Sequence, residues 1–142
     1  MSASQNRIYF LLQRAAHRLK TEADAVLTDA CGLTTAQAAV MTIVAADGPV
    51  TQKHVASTLS QRESAITAMA ARLVNAGFIT KSRSETDSRA FELRITDAGE
   101  TALSKTRLAF GAINAKLDAD INREEMDAMA RQLEKILRAF ET

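Results

Sequence analysis

Residues 50–96 decide the fold, and they read VTQKHVASTLSQRESAITAMAARLVNAGFITKSRSETDSRAFELRIT. In the first part of this stretch, apolar residues recur every three or four positions, which is the period of an α-helix. In the last part they alternate with polar residues, which is the period of a β-strand. The stretch therefore predicts two short helices followed by a hairpin of two strands.

The first of these helices has a clear start. Thr51 is a suitable N-cap, and Val50 and Val55 occupy the two positions of a hydrophobic staple. The helix is expected to end near Leu59, which leaves only a tight joint at residues 59–61 before the next helix. Helix-turn-helix joints are this brief because the first helix must brace the second.

The second helix is predicted to begin with Ser60 as its N-cap, and Glu63 completes a capping box. Gly77 is the expected C′ residue, in the left-handed conformation that ends many helices. The apolar stripe of this helix consists of Ile66, Met69, Ala70 and Leu73. The opposite face is small and polar and consists of Gln61, Ser64, Ala68, Ala71, Arg72 and Asn75. Such a face can approach base edges in a DNA major groove, and an ordinary solvated helix face is the alternative interpretation.

Two strands are predicted after the second helix, over residues 78–83 and 91–96. The return strand has Phe91, Leu93 and Ile95 on one face and polar residues on the other. A polar segment connects the two strands. A hairpin of this length with a charged tip fits the wing of a winged helix.

The tip of this hairpin, residues 84–89, carries charges that bear on function. Arg89 is expected to reach a DNA phosphate or the minor groove, with Asp87 close enough to orient its guanidinium. A solvated hairpin tip is the alternative interpretation. The net charge of the chain is only +1, but residues 61–96 hold six Lys/Arg against four acids, and residues 97–142 hold seven against nine. The stretch predicted to face DNA is thus the more basic one.

The rest of the chain predicts four further helices. One covers about residues 6–29, and another covers residues 34–46 behind a capping box. The third starts after Thr96 as its cap and breaks at residues 120–122, and the fourth covers residues 124–140. The long helices are amphipathic and have no local partner for their apolar stripes. This favours a dimer, with packing inside a single chain as the alternative.

Composition fits one helix-rich domain. The chain has 142 residues, of which 46% are hydrophobic, with five Gly and one Pro. No apolar run approaches the roughly 18 residues of a membrane span, and no basic segment precedes the apolar patch of the N-terminus, so neither a membrane anchor nor a signal peptide is expected. The single cysteine fits a reducing cytoplasm.

Several short motifs in this order resemble those of the multiple antibiotic resistance regulator (MarR) family. They are Ile66-Thr67 to Arg72-Leu73, Ala76-Gly77-Phe78-Ile79, Asp87-x-Arg89, and Leu93-x-Ile95-Thr96-x-x-Gly99. Together, at these separations, the motifs are fairly specific. The flanking helices extend the resemblance over nearly the whole chain.

The resemblance implies a mainly α (α+β) fold in one domain over residues 1–142. A winged helix-turn-helix lobe would occupy residues 33–96, and dimerisation helices would occupy residues 1–32 and 97–142. It also implies a cytoplasmic homodimer that binds a pseudo-palindromic operator in double-stranded DNA without a cofactor or a membrane. The expected role is a transcriptional repressor whose DNA affinity is modulated by a small-molecule effector.

We expect the DNA contacts to come from the second helix of the module and from the wing. The residues nearest the bases are expected to be Ser64, Ala65, Thr67 and Ala68. Those on phosphates or guanine edges are expected to be Gln61, Arg62 and Arg72, and those of the wing Asp87, Ser88 and Arg89. Ala68 stands where many family members have an Arg, so one usual contact is missing. Arg72 as a structural partner of Asp87 stays an alternative.

Cys31 and the histidines are the remaining candidates. The hydroperoxide-sensing branch of the family has its cysteine near the position of Tyr9 in this chain, so a redox role for Cys31 is only the alternative to a buried thiol. His17 lies where the family forms its ligand pocket and is a candidate for binding an effector. His17 and His54 have no acid or thiol at helical spacing, so no metal site is expected.

No motif predicts an enzyme, because the sequence has neither a Gly-rich phosphate loop nor a nucleophile elbow. The competing function is a winged-helix module that binds a protein and not DNA. The two functions differ in what the polar helix face and the wing must contact.

Overall fold

The computed structural model describes residues 3–141, and their side chains from residue 7 onward. These residues form α1 (Ala3–Cys31), α2 (Thr35–Asp47), α3 (Gln52–Thr58), α4 (Glu63–Asn75), β1 (Ile79–Arg83), β2 (Phe91–Ile95), α5 (Asp97–Asp120) and α6 (Arg123–Ala139). The mainly α fold with a two-stranded hairpin is therefore confirmed. The chain divides into two compact units within α5, one up to Ala109 and the other from Phe110.

Helix α1 is longer than the predicted span of residues 6–29 at both ends. Its extra residues carry no apolar spacing signal that a sequence pattern could register. The helix ends where Gly32 adopts a φ of +72°, the left-handed conformation that glycine favours. Within the described residues no single helix is both long and apolar enough to cross a membrane, and only α1 and α2 together, across a bend of 69°, have the length and composition of a span.

The caps predicted for α2 and α3 are confirmed. The Thr34 hydroxyl accepts from the backbone N–H of Gln37 at 3.2 Å, and the Gln37 side chain accepts from the backbone N–H of Thr34 at 3.0 Å. The Thr51 hydroxyl accepts from the backbone N–H of His54 at 3.1 Å. Val50 and Val55, the two residues of the predicted staple, are both buried.

The predicted start of the next helix is wrong. Helix α4 begins at Glu63, and its N-cap is Arg62, which makes no side-chain capping bond. Ser60 has a φ of 53° and lies in the turn before the helix. An N-cap needs an extended backbone, so Ser60 in the left-handed conformation cannot cap α4 and the capping box with Glu63 does not form. In this turn Ser60 adopts the left-handed conformation, which is more common for glycine.

The two strands pair antiparallel and are connected to the helical core. Ile79 pairs with Ile95 and Arg83 with Phe91, so the first strand begins one residue later than predicted. Val50, just before α3, also bridges to Leu93 of β2 through bonds of 3.2 Å and 2.7 Å. The core of this unit is built mainly from α2, α3, α4 and the base of the hairpin, and its fully buried large side chains include Met41, Val55, Ile66, Leu73 and Leu93.

A polar junction connects the end of α4 to the start of α5. The Thr96 hydroxyl donates to the carbonyl of Gly77 at 2.6 Å and accepts from the backbone N–H of Gly99 at 3.0 Å. Thr96 thus caps α5 as predicted. A Cβ at Gly99 would collide with the carbonyl oxygen of Phe78, so this close approach requires glycine.

A second polar junction connects α1 to the start of α2. The Asp24 carboxylate accepts from both the backbone N–H and the hydroxyl of Thr35, each at 2.7 Å, and Lys20 lies 3.6 Å away. The backbone N–H of Thr35, then its hydroxyl and the charge of Lys20, lower the pKa of Asp24 below its ordinary value. The ionised carboxylate is therefore the form that stabilises the fold.

We predict that Asp24→Asn destabilises the protein at neutral pH and that the effect fades in acid. The folded-state pKa lies below the unfolded value of about 3.9, so the charge contributes fully above that unfolded value, and its contribution is lost as the pH falls from there through the lower folded-state pKa. Urea denaturation at pH 7 and pH 3 measures the difference. Asp29→Asn, which removes an exposed carboxylate from the same helix, is the control. An equal deficit of Asp24→Asn at both pH values would contradict the prediction.

Candidate nucleic-acid interface

Helix α4 has one buried face and one exposed face, as its spacing predicts. Ile66, Ala70 and Leu73 have at most 1% of their surface exposed. Every residue of the predicted outward face is exposed, namely Gln61, Ser64, Ala68, Ala71, Arg72 and Asn75. None of these six residues has a large apolar side chain, so no apolar bulk on this face prevents a close approach to another molecule.

The residues expected nearest the bases are not all exposed to solvent. Ser64, Thr67 and Ala68 are exposed, whereas Ala65 is half-buried. The Thr67 hydroxyl lies 2.9 Å from the carbonyl oxygen of Glu63 and 2.9 Å from the side-chain oxygen of Gln52. Thr67 therefore bridges α4 to α3. Gln52 was missed by the sequence analysis because 15 residues separate it from its partner.

The three residues expected on phosphates or guanine edges are all exposed. Gln61 and Arg62 lie in the segment before α4, where the carbonyl of Arg62 accepts from the first turn of the helix. Arg72 lies in the last turn of α4. Within the described part of the chain, no ion pair connects Arg72 to Asp87, so the structural alternative for Arg72 is not observed.

The wing loop between the strands is organised by hydrogen bonds to two side chains. The hydroxyl of Ser84, which is buried, accepts from the backbone N–H groups of Thr86 and Asp87, each at 3.2 Å. The Asp87 carboxylate accepts from the backbone N–H of Arg89 at 3.0 Å. Within the described residues no ion pair connects Asp87 to the Arg89 guanidinium, so the predicted orientation of that guanidinium by Asp87 is not observed. Ser88 accepts from the Arg83 guanidinium through its carbonyl at 3.1 Å.

The predicted apolar face of the return strand is only partly buried. Leu93 is buried and Ile95 is half-buried, but Phe91 is 44% exposed. Phe91 lies at the far end of the hairpin, beyond the core. Its ring packs instead against Lys81, whose Nζ is 5.0 Å from the ring centroid, and Arg83, whose Cζ is 5.7 Å from it. The period of two was correct, but it does not indicate how far the core extends along the hairpin.

A groove separates the wing from the helices. We define this wing groove by residues 51–53 around the α3 start, Glu63 of α4, and Lys81, Asp87 and residues 89–91 of the wing; its volume is about 430 Å³. Lys53, Lys81 and Arg89 bring three cations to it, and Glu63 and Asp87 bring two carboxylates. The wing groove is thus a weakly basic channel beside the exposed face of α4.

The remaining candidates lie elsewhere. His17 is exposed on α1, where Gln13, Arg14 and Arg18 line a shallow concavity with it. Cys31 is half-buried, and its thiol donates to the carbonyl of Leu27 at 3.3 Å. Among the described residues, no group of three His, Cys, Asp or Glu side chains could hold a metal ion.

His54 has a partner that helical spacing did not reveal. Its Nε2 lies 3.0 Å from a carboxylate oxygen of Asp47, seven residues earlier. Both side chains are about half exposed. The contact connects the end of α2 to α3 and lies outside any single helix, which is why the i+3 and i+4 positions missed it.

A sequence model of the MarR family matches residues 32–90, which contain the helix-turn-helix and the wing loop. Over these residues the chain matches the MarR family of DNA-binding transcriptional regulators, and α4 lies at the position of the recognition helix, the second helix of the matched helix-turn-helix. A curated relative, the HTH-type transcriptional repressor MdtR of Bacillus subtilis (strain 168), is 29% identical over 111 residues, which are 78% of this chain and 72% of MdtR.

Solved structures of similar proteins cover almost all of this chain. The YusO protein from Bacillus subtilis is 26% identical, with a TM-score of 0.70 over 98% of this chain and 99% of YusO. The transcriptional repressor CouR, solved with a 23-mer DNA duplex, is also 26% identical, with a TM-score of 0.84 over 90% of each chain. The resemblance inferred from the motifs is therefore confirmed.

We predict that Ser84→Ala loosens the wing loop without removing a charge. The two N–H groups that Ser84 accepts from lose their partner, which costs about 1 kcal/mol of stability for a typical hydrogen bond. Amide hydrogen exchange at Thr86 and Asp87 is expected to accelerate. Ser82→Ala, at an exposed position of β1, is the control and should leave both amides unchanged. Unchanged exchange in Ser84→Ala would show that the hydroxyl does not hold the loop.

Proposed function

We propose that this MarR-family protein is a homodimeric transcriptional repressor that binds a pseudo-palindromic operator and is released by a small-molecule effector. The observation that carries the DNA part is the exposed face of the recognition helix beside a wing whose Arg89 makes no ion pair within the described residues. Small and polar residues on that face let the backbone approach base edges in the major groove.

The wing supplies the contact that depends least on the base sequence of the DNA. Asp87 and Ser84 fix the backbone of the loop, so Arg89 extends from a fixed base. A guanidinium on a fixed base is suited to the narrow minor groove or to a phosphate. The repressor CouR, which has the same fold and 26% identity, was solved with a DNA duplex, which supports DNA binding by this chain.

The dimer is supported by apolar side chains that a single chain leaves uncovered. On α1, the exposed residues are Ile8, Tyr9, Phe10, Leu11, Leu12 and Leu19. On α6 and its C-cap, the exposed apolar residues are Met129, Leu133, Ile136, Leu137 and Phe140. Exposed apolar surface of this extent on each of the two helices marks an interaction site, and a second copy would place two recognition helices about one DNA turn apart. Residues 1–32 and 97–142 would thus serve as dimerisation helices.

The proposed effector site includes His17 of α1. His17 shares a concavity of about 370 Å³ with three other side chains of α1. In a dimer, the second subunit would enclose this open concavity further. A coupling of about 1–3 kcal/mol between this site and DNA would change the affinity roughly 5–150-fold, which is sufficient for release.

We predict that the protein binds the promoter region beside its own gene and that Arg89→Ala weakens this binding by about tenfold or more. The affinity should fall steeply with salt, because bound phosphates release counterions, and the mutant should show a shallower slope. Fluorescence anisotropy over a salt series measures both quantities. Arg94→Ala, which removes the same charge from the other side of β2, is the matched control.

The competing function, a winged-helix module that binds a protein, gives a different result. Such a module would bind the promoter duplex no better than a random duplex at low salt. Equal binding by wild type and Arg89→Ala would also count against the repressor.

We predict that Ile136→Glu dissociates the dimer. Ile136 is 41% exposed in the single chain, so the substitution removes little from the core of one chain but places an unpaired charge in the proposed interface. The dimer dissociation constant should rise by about tenfold or more, as measured by analytical ultracentrifugation. Gln132→Glu adds the same charge to an exposed position of α6 and should leave the dimer intact. A dimer unaffected by Ile136→Glu would place the interface elsewhere.

A further inference from the structure

The exposed ring of Phe91 lies beneath two cations of the facing strand. Arg83 pairs directly with Phe91 in the hairpin, and Lys81, two residues earlier, projects from the same face. The Nζ of Lys81 and the Cζ of Arg83 are 5.0 Å and 5.7 Å from the ring centroid. Both distances are within the roughly 6 Å over which a cation is attracted to an aromatic face. Within the described residues neither cation belongs to an ion pair.

The two cations have different surroundings. The guanidinium of Arg83 also donates to the carbonyl of Ser88, so Arg83 is engaged in supporting the wing loop. Lys81 has no such bond among the described residues, and it lines the wing groove with Lys53 and Arg89. The ring therefore holds one cation that braces the wing and one that remains available to a ligand.

A lysine held in this way is suited to an anion that approaches along the groove. Its ammonium is a compact point charge on a flexible stem, and restricting that stem before binding lowers the entropy lost on binding. The groove has three cations against two carboxylates, so a single phosphate is better matched to it than a highly charged anion. Base edges are reached from the exposed face of α4, which leaves the groove for the DNA backbone.

We propose that Phe91 is a positioning residue for DNA binding, and that Lys81, held over its ring, contacts a backbone phosphate that enters the wing groove. This inference rests on the proposed function, because it assumes that the wing and α4 bind DNA. It adds a phosphate contact that is separate from the one made by Arg89 at the tip of the wing.

A double-mutant cycle on full-length protein tests this contact. Wild type, Lys81→Ala, Phe91→Leu and the double variant are titrated with the promoter duplex from 50 to 200 mM salt. Loss of one phosphate contact lowers the salt slope by about 0.9 per subunit, so the deficit of Lys81→Ala should narrow about threefold per subunit over this range. Phe91→Leu should reproduce most of that change although it removes no charge. The double variant should bind no more weakly than Lys81→Ala.

Two controls separate positioning from folding. Phe91→Tyr keeps the aromatic face and should bind like wild type. Arg94→Ala removes a charge from the opposite face of β2 and should retain the wild-type salt slope. Thermal melts of all variants identify any that fail to fold. If Phe91→Leu fails to fold, Phe91→Tyr keeps the test valid.

Each remaining outcome overturns a defined part of the argument. Additive losses in the cycle, or a Phe91→Leu variant that binds like wild type, would overturn the role of Phe91. If Arg89→Ala weakens binding while Lys81→Ala does not, the phosphate contact is refuted and the proposed function survives. If wild type binds no duplex above the random control, both fail together.

Discussion

The burial of Ile66, Ala70 and Leu73 on one face of α4 is the constraint on which the rest of the structure depends. Ile66 and Leu73 are fully enclosed, so α4 cannot roll about its axis without exposing apolar surface. The opposite face is therefore presented in one fixed orientation. Because that face carries only small and polar side chains, its function depends on orientation and distance and not on any reactive group. A binding surface of this kind is only as well defined as the core behind it.

The same core fixes the wing. Val50, which is buried just before α3, exchanges two backbone hydrogen bonds with Leu93, so the hairpin is attached to the helix that braces α4. Thr67 makes a second connection between α3 and α4 through Gln52. Helices α3 and α4 and the wing are thus connected by short hydrogen bonds within one compact unit. Backbone positions therefore set the walls of the wing groove between them.

Sequence reasoning found the features that have a period or a local cap and missed those that depend on distant residues. The buried stripe of α4, the caps at Thr34 and Thr51 and the strand pairing all follow from spacing. Ser60 was misjudged because a sequence that permits an N-cap equally permits a left-handed turn residue, and only the path of the chain decides. Phe91 was misplaced because alternation indicates which face a residue shares, not where the core ends.

Two polar junctions connect the long helices to the lobe that would hold DNA. Asp24 of α1 is bonded to Thr35 at the start of α2, and Thr96 before α5 is bonded to the carbonyl of Gly77, directly after α4. These bonds are short, and at Gly99 the backbones are too close for a side chain. A shift of α1 or of the α5 start must therefore either break these bonds or carry the lobe with it. In the proposed dimer, a ligand that moves the long helices would change the separation of the recognition helices through these two junctions, without contacting DNA.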